Sequence, residues 1–350
     1  MYGKAVRTSA MVQAYRADTE DADTGPRTGS RFRALRHRLA TDRGIWRRGI
    51  LLALCSVFLT VVMVFHSDIP NAVGNLGSLI ETFLPWLGVL LPVLLILGLV
   101  RRSATAVIAL VLPVAVWLNL FGGLLFADKS GSGGDLTVAT HNVNAGNPDP
   151  AGTAQQVAGS GADIVALQEL PTGKVAAYED ALADRYPHHS VQGTVGLWSK
   201  YPVTDSSPVD IKLGWTRAMR ATVTTPEGRI KVYVAHLPSV RVKLHAGFTA
   251  NQRDDSADAL GEAIADEPLE RVVLLGDLNG TMNDRSLNAV TAQMRSTQGA
   301  AGDGFGFSWP AAFPMARIDQ IMVRGVEPLA SWTLPATDSD HLPIAARVQL

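Results

Sequence analysis

RVVLLGDLN, residues 271–279, decides how the chain is read. Four apolar residues, Val272 to Leu275, run together and then give way to Gly276, Asp277 and Asn279. A short continuous apolar run is the pattern of a strand buried on both faces. Residues two apart on an extended chain face the same way. Asp277 and Asn279 are therefore expected side by side, one able to accept a proton while the other holds a water or a phosphate oxygen. The pattern repeats outward in both directions. LTVATHNV (136–143), DIVALQEL (163–170), VGLWSK (195–200), IKVYVAHL (230–237), RIDQIMVRG (317–325) and LPIAARVQL (342–350) read as further strands. The stretches 150–160, 172–184 and 249–265 read as helices between them, and there is no internal repeat. Residues 135–350 thus form one α/β domain, long enough to bury a substantial core.

Polar side chains collect where these strands begin or stop: Asn142, Glu169, His236, Asp277, Asn279, Asp319, Asp340 and His341. A single strand-end Asn or Asp is usually a turn residue. Eight such residues along one domain point to chemistry instead. Carboxylates and amides are hard oxygen ligands, which suit Mg²⁺, Mn²⁺ or Ca²⁺. The one cysteine, Cys55, excludes a multi-thiolate metal site and an intrachain disulfide. Asp340 and His341 are adjacent, so on a strand their side chains diverge. The carboxylate that orients His341 is then expected from elsewhere, and Asp319 is the candidate. Trp198 and Trp309 read as packing residues, Arg217 and Arg220 as solvated surface first and phosphate-binding second, and Glu81 as a side chain at a membrane interface.

The first third of the chain is of another kind. Residues 1–48 carry 11 basic and 5 acidic side chains, residues 49–127 two of each, and residues 128–350 18 basic and 25 acidic. This segregation excludes a uniformly mixed soluble globule. Segments 49–65, 82–100 and 103–127 are uncharged and of the length that crosses a bilayer, about 17–25 residues. Lys and Arg mark the cytoplasmic ends of spans. Arginines crowd the approach to the first segment, Arg101 and Arg102 separate the second from the third, and the loop 66–78 has neither Lys nor Arg. The expected organisation is a basic, disordered cytoplasmic tail (1–48), three transmembrane helices (49–127), a flexible linker (128–134) and an extracytoplasmic domain (135–350).

The ordered set THNV, ADIVALQE, GLWSKYPV, VAHL, LLGDLN, RIDQI and SDHLPI resembles the endonuclease/exonuclease/phosphatase superfamily, the DNase I-like hydrolases. With its three apolar segments the chain also looks like the VanJ-type actinobacterial membrane proteins associated with teicoplanin resistance. The resemblance implies two mixed β-sheets packed as a sandwich, flanked by helices, with the site at one edge. It implies that Glu169, Asn142 and Asp340 ligate Mg²⁺ (or Mn²⁺). It further implies that Asp277 and Asn279 place the attacking water, and that His236 and His341, the latter oriented by Asp319, contact the scissile phosphate. One departure concerns the carboxylate that in some nucleases orients the first histidine: the matching strand, GLWSK, offers Ser199.

Ten residues separate Phe126 from Leu136, a reach of at most about 33–36 Å. A domain held that close to a bilayer meets lipid-linked phosphates first. The expected activity is metal-dependent hydrolysis of a lipid-linked phosphate or pyrophosphate, undecaprenyl pyrophosphate leading. The alternatives are an extracytoplasmic nuclease and a non-catalytic glycopeptide-binding protein on the same fold. A net acidic domain lacks the global attraction that nucleic acid requires.

Overall fold

The computed structural model describes residues 44, 46–72, 74–126, 129–239 and 247–350. Nearly all of the basic tail lies outside these residues. Twelve strands form two six-stranded sheets: β1 Leu136–Asn142, β2 Ile164–Gln168, β3 His188–Gln192, β4 Val195–Ser199, β5 Val203–Pro208, β6 Ala218–Thr225, β7 Gly228–His236, β8 Val272–Asp277, β9 Arg295–Ser296, β10 Asp319–Arg324, β11 Glu327–Thr333 and β12 Ile344–Gln349. One sheet runs β11-β12-β1-β2-β4-β3 and the other β5-β6-β7-β8-β10-β9. Each mixes one parallel pair, β1/β2 or β7/β8, with antiparallel ones.

All seven strands read from the sequence are present. The five that escaped it, β3, β5, β6, β9 and β11, include all four sheet edges. Edge strands are half solvated and lack the apolar run that marks a central strand. HHSVQ and VTDSSP accordingly look like loops, and β11 carries Pro328 at a register shift. The inner faces pack Val138, Ile164 and Leu197 of the first sheet against Val232, Leu275 and Ile321 of the second, all fully buried. The helices Pro150–Ala158 and Val175–Leu182 cover the outer face of the first sheet, and Gly247–Ala265 that of the second.

Ahead of the sandwich lie α1 Ile50–Val64, α2 Leu76–Thr82, a 3₁₀ segment Leu84–Val89, α3 Leu90–Val100 and α4 Ala104–Leu125. By length and composition one of these, the 22-residue α4, suffices to cross a membrane. A second does so only if α2 and Leu84–Val100 are taken together across a 70° bend, and α1 has 15 residues. The bend falls at the start of the expected second segment, 82–100, and leaves Leu84–Val100 as one apolar stretch. The break lies at Phe83, and Pro85, in the first turn of the segment that follows, has no N–H with which to continue the ladder of α2.

The apolar helices dock on the sandwich. Arg285 Nη1 donates to Ser67 O (2.5 Å) and Ile69 O (2.8 Å), and Thr281 Oγ1 to Glu81 O (3.2 Å). Trp86 Nε1 donates to Met315 O (2.7 Å), and the Trp86 ring stacks on Phe307 at 5.9 Å. Glu81 is fully buried in this contact rather than lying at an interface with water, because α2 turns that face toward the domain. The stretch after α4 is also bonded down: Lys129 donates to Gly299 O, and Gly131 N to Leu329 O.

Gly276 is required where β7 and β8 run side by side. Its φ is +154°, and a Cβ there would collide with the backbone carbonyl of Ala235. Gly276→Ala is expected to lower the stability of the domain by about 2 kcal/mol or more, read as a fall in the urea midpoint of its unfolding transition.

Candidate active site

Strand register sets out the first row of the site. His236 on β7 is the partner of Asp277 on β8, and Asp277 is the partner of Asp319 on β10. Neighbouring strands lie about 4.8 Å apart, so three functional side chains stand abreast at one end of the second sheet. The first sheet brings Asn142 from the end of β1 and Glu169 from just past β2, where Asn142 pairs with Gln168. Glu169 leaves its strand with φ +59°, a left-handed conformation uncommon for a residue with a side chain, and this turn helps set its direction.

The two halves meet through Asn142. Its Nδ2 donates to Glu169 Oε1 (3.2 Å) and to Asp277 Oδ2 (3.0 Å), while its Oδ1 accepts from Asn144 N (3.0 Å). Asn279 does share the environment of Asp277, but not through strand alternation. β8 ends at Asp277 and Asn279 has φ +47°, so a turn folds it back: its backbone N–H reaches Asp277 Oδ1 (2.9 Å) and its Nδ2 reaches Leu237 O (2.8 Å) and Asp277 Oδ2 (3.3 Å). Asp319 Oδ2 lies 2.9 Å from His341 Nδ1 and accepts from Ser308 Oγ at 2.7 Å. Asp340 Oδ1 accepts from Asn144 Nδ2 at 3.0 Å. All eight residues singled out in the sequence therefore come together: six line a pocket of about 480 Å³, and Asn142 and Asp319 are bonded behind them to Asp277 and His341.

A family model for the endonuclease/exonuclease/phosphatase family matches residues 139–341, more than half of the chain. The chain belongs to the endonuclease/exonuclease/phosphatase family. No curated protein matches it. Solved structures share its fold. One from Bacteroides vulgatus, an endonuclease/exonuclease/phosphatase, has a TM-score of 0.52 at 20% identity over 61% of this chain and 98% of its own. Beta toxin of Staphylococcus aureus has 0.51 at 14% over 61% and 99%, and the mannosyl-6-phosphatase of Bacteroides thetaiotaomicron has 0.50 at 16% over 61% and 100%.

In this family member the electrostatics divide the titratable groups into distinct states. Burial works against a charge on His341, but the carboxylates of Asp319 and Asp277 outweigh it and raise its pKa to about 10. Burial alone would raise Asp319; the His341 cation and the hydrogen bonds from His341 and Ser308 hold it below its usual range. Burial, with the Asp319 charge, pushes Asp277 up to about 7 against the pull of His341 and the hydrogen bonds from Asn142 and Asn279. His236 is pushed well below 6.5 by burial and by the charges of Arg217 and His341. At neutral pH His341 is a cation and His236 a neutral ring. The Nε2 of His236 stands 3.6 Å from both Glu169 and Asp277.

Asp277, Asp319 and His341 bring ligating atoms within 4.8 Å of one another. Asp319 Oδ2, however, is committed to His341 and Ser308. The donors that face the pocket are the carboxylates of Glu169, Asp277 and Asp340, a hard-oxygen set that fits a divalent cation of the Mg²⁺ class.

Three readings of single residues change. Ser199 is no substitute for a histidine-orienting carboxylate, because it pairs with Ile164 at the far end of β2, a strand length from Glu169. Its Oγ accepts from Tyr201 N, and His236 Nδ1 has no partner among the described residues. Arg217 lines the pocket rather than the open surface, its guanidinium 5.2 Å from the Trp215 ring. Arg220 instead hydrogen-bonds Ser207. Trp309 also lines the pocket, whereas Trp198 is a core residue. Nothing local in the sequence distinguishes Arg217 from Arg220, three residues on; the pocket is formed by β6, β7 and α2 together.

The His341–Asp319 pair has a stability signature. A folded pKa above 6.5 means that the contribution of His341 is full below 6.5 and is lost as pH rises through about 10. Asp319, shifted down, contributes fully above 3.8 and loses that contribution in acid. Asp319→Asn is expected to cost about 3 kcal/mol at pH 6, with the gap to wild type closing as unfolding is measured toward pH 10. In the same variant the histidine NMR titration of His341 is expected to fall from about 10 toward 6.5.

Proposed function

We propose that the chain is a membrane-anchored, extracytoplasmic, divalent-metal-dependent phosphoesterase that hydrolyses a lipid-linked phosphate or pyrophosphate. The observation that carries the reaction class is the Asn142 bridge between Glu169 and Asp277, which gathers carboxylates, two histidines and Arg217 around one pocket. Glu169 and Asp340 would hold Mg²⁺, or Mn²⁺ in its place; Asn142, expected from the sequence as a third ligand, has its Nδ2 on Glu169 and Asp277 and its Oδ1 on Asn144 N, and so would orient the Glu169 carboxylate rather than ligate the ion. When bound, such an ion neutralises phosphoryl oxygens and polarises the phosphorus.

The rest is placement by the chain's own groups. Asp277 titrates near neutrality, so its carboxylate can accept a proton from a water held by Asn279. His341, cationic and kept so by Asp319, stabilises negative charge on the phosphoryl group and can hand a proton to the leaving oxygen. His236, neutral, can donate one hydrogen bond from Nε2 without adding charge, and Arg217 offers a fixed guanidinium to a phosphate oxygen.

The substrate assignment draws support from the apolar helices beside the pocket. Ser67 and Ile69 meet Arg285 on the domain, whereas at the other end of the helices Arg101 Nε donates to Arg48 O (2.7 Å). The loop before α2 and the domain thus share one side, and the arginines gather on the opposite one. That arrangement favours three spans with a cytoplasmic N-terminus. An undecaprenyl pyrophosphate carrier suits a cell-envelope role linked to teicoplanin resistance; phospholipids are the next candidates.

The test offers the full chain in detergent with Mg²⁺ three substrates: undecaprenyl pyrophosphate, phosphatidylglycerol and plasmid DNA. Lipid phosphate release is expected, lost with EDTA and restored by Mg²⁺. Asp277→Ala and Glu169→Gln are each expected to lower it by about 10²–10⁴-fold. Nicked DNA without lipid turnover would replace this reading with a nuclease, and teicoplanin binding without any turnover would replace it with a binding protein. Protease added to intact protoplasts is expected to remove the domain; complete protection would overturn the topology.

A further inference from the structure

One wall of the catalytic pocket does not belong to the sandwich at all. Opposite Asp277, His341 and Arg217 it is formed by Ser78, Leu79, Thr82 and Phe83, from α2 and the bend that follows. Trp309 and Ile318 complete an apolar rim on the domain side. Leu79, Thr82 and Phe83 are half-buried, so they are neither packed away nor free on the surface.

This wall is held in place. Ser78 Oγ accepts from Arg253 Nη2 (3.1 Å) and from Asn71 Nδ2 (2.9 Å), and Ser78 N donates to Asn71 Oδ1 (2.8 Å). Arg253 is itself fixed by Asp284, with Nη1 2.6 Å from Oδ2. Gly77 lies so close to Ile69 O that a Cβ would collide with it. Thr281 and Arg285 clamp the flanking carbonyls. The apolar side chains are thus pre-positioned over a cluster of charged groups.

A phosphate alone has no use for such a wall, since burying its charge against Leu and Phe is unfavourable. An ester whose phosphate carries an apolar chain has a use for it. Phe83 is also the point at which the 70° bend hands over to Leu84–Val100, where Leu90, Val93 and Ile96 are exposed. The segment that follows the pocket wall in the chain thus carries exposed apolar side chains of its own.

We infer that Leu79, Thr82 and Phe83, with Trp309, form the subsite that receives the apolar chain of the substrate, so that the membrane module determines specificity as well as anchoring. This rests on the lipid-phosphate reading above and deepens it. The chain can be isoprenoid or acyl, because both present the same surface.

The experiment measures chain-length preference with the full-length protein in detergent and Mg²⁺. One substrate pair is farnesyl against dimethylallyl diphosphate; the other is dioleoyl against dihexanoyl phosphatidylglycerol. The readout is the ratio of kcat/KM for the long over the short member, which is independent of the fraction of active protein. Wild type is expected to favour the long chain in one pair by at least tenfold, which identifies the source. In Leu79→Ser/Phe83→Ser that ratio is expected to fall by about tenfold or more, and in Leu79→Met/Phe83→Leu to survive. A ratio unchanged in the double serine variant would overturn the subsite while leaving the lipid reading intact. A wild-type ratio near one in both pairs, with turnover, would overturn the lipid reading itself. Loss of the ratio in the conservative variant as well would assign these positions to packing and overturn the subsite.

Discussion

Three carboxylates, Glu169, Asp277 and Asp319, are held near one another at the end of a β-sandwich, and the molecule is organised by what keeps them there. Mutual repulsion and desolvation oppose the cluster. Against them stand hydrogen bonds from Asn279, Ser308 and the Ala145 N–H, and two contacts that link separate elements, the Asn142 amide and the His341 imidazolium. Asn142, from the first sheet, turns its NH₂ on Glu169 and Asp277 together. His341, on the approach to β12, gives Asp319 a short partner at Nδ1 and faces Asp277 with Nε2 at 3.9 Å. Both contacts run between elements distant in sequence, so the inter-sheet core and the site depend on each other. The packing of Leu275 and Ile321 on Val138 and Ile164 fixes the spacing across which Asn142 reaches.

The same constraint explains why the two histidines differ. Burial lowers both; for His341 the carboxylates of Asp319 and Asp277 outweigh it, whereas for His236 burial, joined by the charges of Arg217 and His341, keeps the pKa well below 6.5 although Glu169 and Asp277 stand 3.6 Å away. Two identical side chains on either side of Asp277 are therefore shifted in opposite directions. The docked α2 segment adds Ser78, Leu79 and Thr82 to the lining of the same pocket.

Much of this was legible in the residues. Central strands announce themselves as apolar runs because both faces are covered, and the polar side chains that end them are conspicuous by contrast. The 2.9 Å contact pairs His341 with Asp319, the expected partner, although Asp340 and His341 lie in a bend before β12 and not on the extended strand from which the pairing was read. The edge strands were not legible, because half-solvated segments such as HHSVQ carry no apolar signature. Ser199 was placed near His236 by likeness of pattern, yet strand direction puts it at the other end of the sheet.

The sequence by itself determined the kinds of element, the apolar first third, and the hard-oxygen character of a site without thiols, since these follow from local periodicity and side-chain chemistry. Only the tertiary structure decided that Arg217 and Trp309 face the pocket, that Glu81 is sealed against the domain, and that Leu79 and Phe83 line the same pocket as the carboxylates and histidines. Those outcomes depend on how the bend before Pro85 docks α2 onto residues two hundred positions later. No local pattern encodes a contact whose two halves gain their meaning only when register, bend and packing bring them together.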